Sequence, residues 1–246
     1  MFIDVKGLSF GYAGKRDVFR ALDIAIPEGP VVLLGPNGAG KTSLLSLLAG
    51  VLRPRRGSIR VGTGEDLGPA RRRAEVGWLP QDVPVVPGMT VAQQIAYSGW
   101  LKGMTIRAAR KAAPAAMEAA NLTSLANRKA SRLSGGQRRR LGIGQALVNN
   151  PAVLLLDEPY AGLDPEQRAS VRQTLLRIAP STGIVVSTHQ TEDIEDVYRQ
   201  TVILSEGRVR YQGTIDEFLD LADSISPGLG RAESAYRAIM SQYSAV

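Results

Sequence analysis

The run Gly35-Pro36-Asn37-Gly38-Ala39-Gly40-Lys41-Thr42 constrains this chain more than any other segment. It matches the pattern G-x-x-x-x-G-K-T, and its flanks carry as much information as its own residues. Val31–Leu34 is a short apolar run without alternation, which fits a strand buried on both faces, as in a parallel sheet under helices. Leucines at 44, 45, 47 and 48 suit a buried helix over Ser43–Ala49 that closes at Gly50. A buried strand, a glycine-rich turn and a helix in that order make a cradle for phosphate. The glycines let successive backbone N–H groups turn inward, and the helix offers its positive end to the same anion. In such a cradle Lys41 reaches the β- and γ-phosphates of a nucleotide such as ATP. The hydroxyl of Thr42 can ligate Mg²⁺, with Ser43 next in the run.

A Mg²⁺–nucleotide site also needs a carboxylate for the metal and a base for water. Val153-Leu154-Leu155-Leu156-Asp157-Glu158 supplies both at the end of a second buried strand. That position is where open α/β sheets bind ligands. Asp157 is expected to hold Mg²⁺, and Glu158 to polarise the attacking water. Two acids after a strand are a weak signal alone and a strong one beside the phosphate loop.

The chain has 246 residues, 44% of them hydrophobic, enough for a sizeable core in one domain with a smaller lobe. It has no cysteine, which excludes disulfides, thiolate metal sites and cysteine nucleophiles and fits a cytoplasmic setting. No apolar stretch approaches the roughly 18–20 residues that span a bilayer, and no signal peptide is expected at Met1–Lys6. The formal charge is +7, with arginine in knots at 53, 55 and 56, at 71–73 and at 138–140. Such knots fit a nucleic-acid footprint, attraction to an anionic membrane leaflet, or simply a solvated surface. No aromatic residues are interleaved with them, so nucleic acid is not expected as a partner.

Strands are expected over 2–10 and 19–26. Residues 57–80 read as short strands and turns punctuated by Gly57, Gly62 and Gly64. Thr90 and Gln93 have capping-box spacing before a helix over 91–101. An alanine-rich helix starts near Thr105, and Pro114 is expected to kink or split it. Residues 83–140 are thus mainly helical between two sheet-like segments, the pattern of a helical lobe inserted into an α/β core. Ile184–Ser187 reads as a third buried strand. Val202–Leu204 and Val209–Tyr211 read as a hairpin, and 214–246 as short terminal helices.

Leu133-Ser134-Gly135-Gly136-Gln137 is the LSGGQ signature of ABC-type ATPases. From about residue 2 to 215 the chain resembles the nucleotide-binding subunit of an ABC transporter, with the other family motifs in order. The resemblance implies an α/β fold: a P-loop NTPase core with a mixed sheet, an N-terminal antiparallel β portion and an inserted α-helical subdomain. The core would span 1–82 and 141–215, the helical signature subdomain 83–140, and a short helical tail 216–246. Tyr12 matches the aromatic that stacks on adenine. Gln81 matches the glutamine that contacts Mg²⁺ and the attacking water. His189, the chain's one histidine, matches the switch histidine near the γ-phosphate. Asp164 matches the loop that couples two subunits.

The signature has a physical logic of its own, since a serine and two glycines before a helix make a second anion cradle. In the family, Ser134, Gly135, Gly136 and Gln137 of one subunit would close over the ATP of another. That implies a head-to-tail ATP sandwich, as a homodimer or with a paralogous cassette. The subunit would dock on a transmembrane permease at the inner face of the cell membrane. The segment Val83–Thr90 and the helix after it form a mostly apolar patch that would receive a permease helix, or else belong to the helical core. The stretch Thr188–Val197 looks like that of single-domain exporters of drugs, antibiotics or peptides, and the short C-terminus leaves no room for the extra domain of many sugar importers. The alternatives are an importer subunit and a soluble ABC ATPase acting on nucleic acid or the ribosome.

Overall fold

The computed structural model describes residues 3–62, 68–192, 194, 197–222 and 229–243. Its strands and helices are, in chain order, β1 (Ile3–Gly11), β2 (Asp17–Ile26), β3 (Pro30–Leu34), α1 (Lys41–Leu48), β4 (Arg56–Val61), α2 (Gly68–Glu75), β5 (Val76–Leu79), α3 (Val91–Leu101) and α4 (Ile106–Ala119). There follow α5 (Gly135–Leu147), β6 (Val153–Asp157), α6 (Pro165–Ile178), β7 (Gly183–Thr188), β8 (Gln200–Ser205), β9 (Arg208–Thr214), α7 (Ile215–Asp220) and α8 (Arg231–Ser241). The chain divides into two compact units. One comprises Met1–Leu48, Leu52–Asp66 and Val185–Val246, and the other Ala49–Val51 and Leu67–Ile184.

The first unit carries the N-terminal antiparallel sheet, in the order β2-β1-β4. Alternation along β1 and β2 places Ile3, Val5, Leu8, Phe19, Ile24 and Ile26 in the core, as a sheet with one wet face requires. The same unit holds the run β7-β3-β8-β9, with β7 from Val185 onward. Here β3 pairs with β8 in parallel, Val31 opposite Gln200, and β8 pairs with β9 antiparallel, so the sheet is mixed. All five residues of β3 are buried, which explains why its sequence does not alternate.

The second unit holds β5 paired in parallel with β6, Val76 opposite Val153, and the helices α2 to α6. Val91, Ile95, Ala113, Ala116, Met117, Leu122 and Leu141 form its helical core. Helix α3 begins with the expected box: the Thr90 side chain accepts from the Gln93 N–H, and the Gln93 side chain accepts from the Thr90 N–H. Helix α5 runs unbroken across residue 140.

Two expectations are corrected. Helix α4 runs through Pro114 as a single element. The missing N–H costs one intrahelical bond, while the Thr105 cap and the buried face Ala109, Ala113, Ala116 and Met117 hold the turns on either side. Residues 57–80 contain a helix as well as strands. Helix α2 is closed on its exposed side by the Arg71–Glu75 pair at 2.8 Å, and its Arg72 is buried. Gly64 of the expected punctuation and Asp193, Glu195 and Asp196 of the Thr188–Val197 stretch lie outside the described residues.

Candidate functional site

In the first unit β3 feeds straight into the phosphate loop. Gly35 is buried against β8: a Cβ there would stand 2.1 Å from the Leu204 carbonyl oxygen, so no larger residue fits. Gly38 and Gly40 have φ of 81° and 104°, the left-handed conformation that turns successive amides to one side. Pro36, Asn37 and Gly38 are exposed and Ala39 is buried beneath them. The Ala39 N–H donates to the Pro36 carbonyl at 3.2 Å. Lys41 opens α1 and is only 7% exposed. Its Nζ donates to the carbonyls of Gly35 at 2.6 Å and Pro36 at 3.2 Å, so the ammonium is folded over the loop it serves. Thr42 is exposed at the first turn of α1, where helix amides lack intrahelical partners.

Tyr12 is 41% exposed. Its hydroxyl lies 3.1 Å from Ser43 Oγ, and its ring meets Phe10 edge-on at 5.0 Å. The ring therefore stands partly exposed beside the start of α1. His189 follows β7, the neighbour of β3, and is exposed. It lines a polar cleft of about 410 Å³ with Gln190, Thr191, Glu192 and, from α8, Glu233, Tyr236 and Arg237.

In the second unit Asp157 ends β6 fully buried, and Glu158 is half-buried beside it. Glu158 has φ of 47°, uncommon for a residue with a side chain. The Ala161 N–H donates to its carbonyl at 3.2 Å, closing a turn. Gln81 is exposed just beyond β5, and the buried Gln94 pins the loop after it, donating to the Pro84 carbonyl and accepting from the Val86 N–H.

Ser134 caps α5 through the Gln137 N–H, while Gln137 reaches back to the Ser134 N–H. Gly136 donates to the side chain of Gln167 at 3.0 Å. Gln167 in turn is bonded twice to the carboxylate of Asp164, at 2.8 and 2.5 Å. A Cβ on Gly136 would stand 3.0 Å from the Gln167 side chain, which would have to give way, so the second glycine of the signature eases this approach. The structure thus joins Asp164 to the signature within one chain.

Sequence reasoning missed two residues here, Gln167 and Arg139. Arg139 belongs to the third arginine knot yet is 8% exposed, and its Nη1 donates to the Gln81 carbonyl at 2.5 Å. Burial lowers its pKa, and the charges of Asp82, Asp157 and Glu158 oppose that fall. A tripled arginine one turn into the signature helix is the one signal that pointed there.

Thr42 in the first unit offers a hydroxyl, and in the second unit Gln81 offers an amide oxygen and Asp157 a carboxylate, donor types that suit a hard divalent cation. Among the described residues no cluster of three or more His, Cys, Asp or Glu could hold a metal, and Mg²⁺ characteristically takes one or two protein oxygens together with substrate phosphates.

The second unit also presents a largely apolar groove of about 690 Å³ lined by Met89, Ala96, Tyr97, Trp100, Ile106 and Met117, among others. Tyr97 and Trp100 stack at 5.6 Å, and Trp100 and Ile106 are 48% and 58% exposed. Of the apolar segment expected here, Val91 and Ile95 turn into the core, whereas Ala92, Ala96 and Tyr97 face the groove. No helix among the described residues is long and apolar enough to cross a membrane.

The chain is 38% identical over 204 residues to a Nod factor export ATP-binding protein I of Paraburkholderia xenovorans, covering 81% of this chain and 67% of that one. It is 33% identical over 237 residues to a molybdenum import ATP-binding protein of Brucella abortus, covering 92% and 65%. The chain therefore spans about two thirds of the length of these relatives. Among solved structures it is similar to a bacterial ABC transporter cassette in a dimeric form, at 26% identity and a TM-score of 0.73 over 87% of this chain and 98% of that one. The family model described as ABC transporter matches residues 19–161, and with its P-loop NTPase fold the chain belongs to the ABC transporter family as one of its ATP-binding cassettes.

Proposed function

We propose that this chain binds and hydrolyses Mg²⁺-ATP and passes the energy to a transmembrane permease. The observation that carries the reading is the phosphate loop, where Gly35 admits no side chain and Lys41 is folded over the loop carbonyls. Gly35–Ser43 would hold the phosphates and Tyr12 the adenine. Thr42, Gln81 and Asp157 would hold Mg²⁺, whose charge neutralises the phosphate oxygens. Glu158 would take a proton from the attacking water, with Gln81 and His189 keeping that water in line. Ser134, Gly135, Gly136, Gln137 and Asp164 would act on the ATP of a second copy or a paralogous cassette. A relative solved as a dimer supports that arrangement. The groove around Trp100 would take the permease's cytoplasmic helix, placing the chain on the inner face of the membrane.

Export is the favoured direction, supported by the likeness to a Nod factor export protein. Import is the second reading, favoured by the longer match to a molybdenum import protein. ATP-driven uptake of a candidate substrate into inside-out vesicles would mark export, and ATP-driven release would mark import.

The decisive variant for hydrolysis is Glu158→Gln. It should bind ATP and form a stable dimer while turnover falls by about 10²-fold or more. Normal turnover would remove Glu158 as the base.

A further inference from the structure

Arg138, Arg139 and Arg140 are adjacent in sequence but not in environment. Arg138 is exposed, whereas Arg139 is 8% exposed on the inner side of α5. Its Nη1 donates to the carbonyl of Gln81 at 2.5 Å and to that of Pro80 at 3.4 Å. Asp82, Asp157 and Glu158 are near enough for their charges to act on it. The place it grips lies between two anchored stretches. The ladder of β5 ends at Leu79, and Gln94 takes hold again only at Pro84 and Val86. Between those points Gln81 and Asp82 are exposed. A guanidinium taken out of water costs several kcal/mol unless its partners compensate, and here they are a loop carbonyl and a group of acids.

We propose that Arg139 is a positioning residue for ATP hydrolysis: from the signature helix it fixes the backbone at Gln81, and so the Gln81 side chain, against the Asp157–Glu158 pair. The inference rests on the roles proposed above for Gln81 and Glu158. It ties two motifs of the second unit directly, so that displacement of the signature helix moves the Gln81 loop with it. One end of the guanidinium, Nη1, serves the two successive carbonyls, whereas a lysine at the same place keeps the charge and loses the planar geometry that aims it.

The test is a double-mutant cycle on the full chain, read as kcat and KM for ATP with melting temperature alongside. Arg139→Gln should lower kcat by about tenfold, with KM within about twofold of wild type and the melting temperature nearly unchanged. Arg139→Lys should recover part of the loss. In a Gln81→Ala background Arg139→Gln should cause no further loss, because the arginine acts through that glutamine. Losses that multiply in the double variant, wild-type kcat in Arg139→Gln, or a lysine no better than glutamine would each overturn the proposal. Should Arg139→Gln fail to fold, Arg139→Lys takes its place in the cycle. A loss that vanishes beside Gln81→Ala supports the proposal, and one that persists or never occurs overturns it. Glu158→Gln, assayed in parallel, separates the two ideas. Normal turnover there removes the proposed base and leaves the Arg139–Gln81 cycle readable.

Discussion

Lys102 shows what a single half-buried charge does in this chain. It follows α3, and its Nζ donates to the carbonyls of Val76 at 3.1 Å and Ala146 at 3.3 Å and to Asn149 Oδ1 at 2.9 Å. One ammonium thus joins the end of α3, the start of β5 and the last turn of α5. Burial lowers its pKa from 10.5 to about 8. The unfolded chain therefore binds more protons than the folded chain between pH 8 and 10.5, and over that window this group adds stability as pH rises. The cost of holding the charge is constant below pH 8 and is relieved above it, by up to about 3 kcal/mol. Urea unfolding at pH 7.5 and 9.5 should show a gain for the wild type that Lys102→Met lacks. Equal pH slopes in the two proteins would refute this account. No motif pointed to Lys102 or Gln167, and the arginine run that holds Arg139 reads only as a charged knot. Their partners lie far along the chain, and only the fold brings them together. The places of Lys41, Asp157 and Glu158 were legible because the buried strands before them, β3 and β6, are local patterns that sequence carries.

At the scale of elements, legibility followed locality in the same way. The Thr90–Gln93 box, the all-buried strands β3 and β6 and the β8–β9 hairpin each depend on neighbours a few residues away, and each forms where its sequence indicated. Helix α2 was hidden because Arg71–Arg73 reads as a surface knot, whereas Arg72 is 2% exposed. Pro114 was misleading because propensity was outweighed by the packed alanine face of α4. The junction of α5 and α6 offers a test at this scale. Gln167 satisfies the Gly136 N–H and is itself held by Asp164. Gln167→Ala should remove two side-chain hydrogen bonds, to Gly136 and to Asp164, cost about 1–2 kcal/mol, and raise amide exchange at Gly136 by several-fold. Gly136→Ala should do more harm, since its Cβ meets the Gln167 side chain at 3.0 Å. Unaltered exchange at Gly136 in Gln167→Ala would mean that the bond does not persist in solution.

At the scale of the molecule, the +7 charge is less free than composition suggests. Arg55 is paired with Asp17 at 2.8 Å, and Arg72 and Arg139 are buried, so the knots are partly internal structure. That weakens the nucleic-acid alternative, which needs a continuous exposed stripe of basic groups. The larger question is how many chains make a working site. The signature presents Ser134 and Gly135 to solvent at the N-terminus of α5, and its proposed role is a cradle for phosphate. If that cradle serves the ATP of another subunit, two defective chains can repair each other. Lys41→Ala loses its own phosphate loop but keeps a sound signature, and Ser134→Arg does the opposite. A mixed dimer then holds one site made of two intact halves and one made of two damaged halves. Random pairing gives about half of the dimers this form, so equal mixing should restore roughly a quarter of wild-type turnover where each variant alone has almost none. The recovery should rise with protein concentration as dimers form. Activity that stays at the level of the separate variants across that range would show that each chain closes its site without the other's signature.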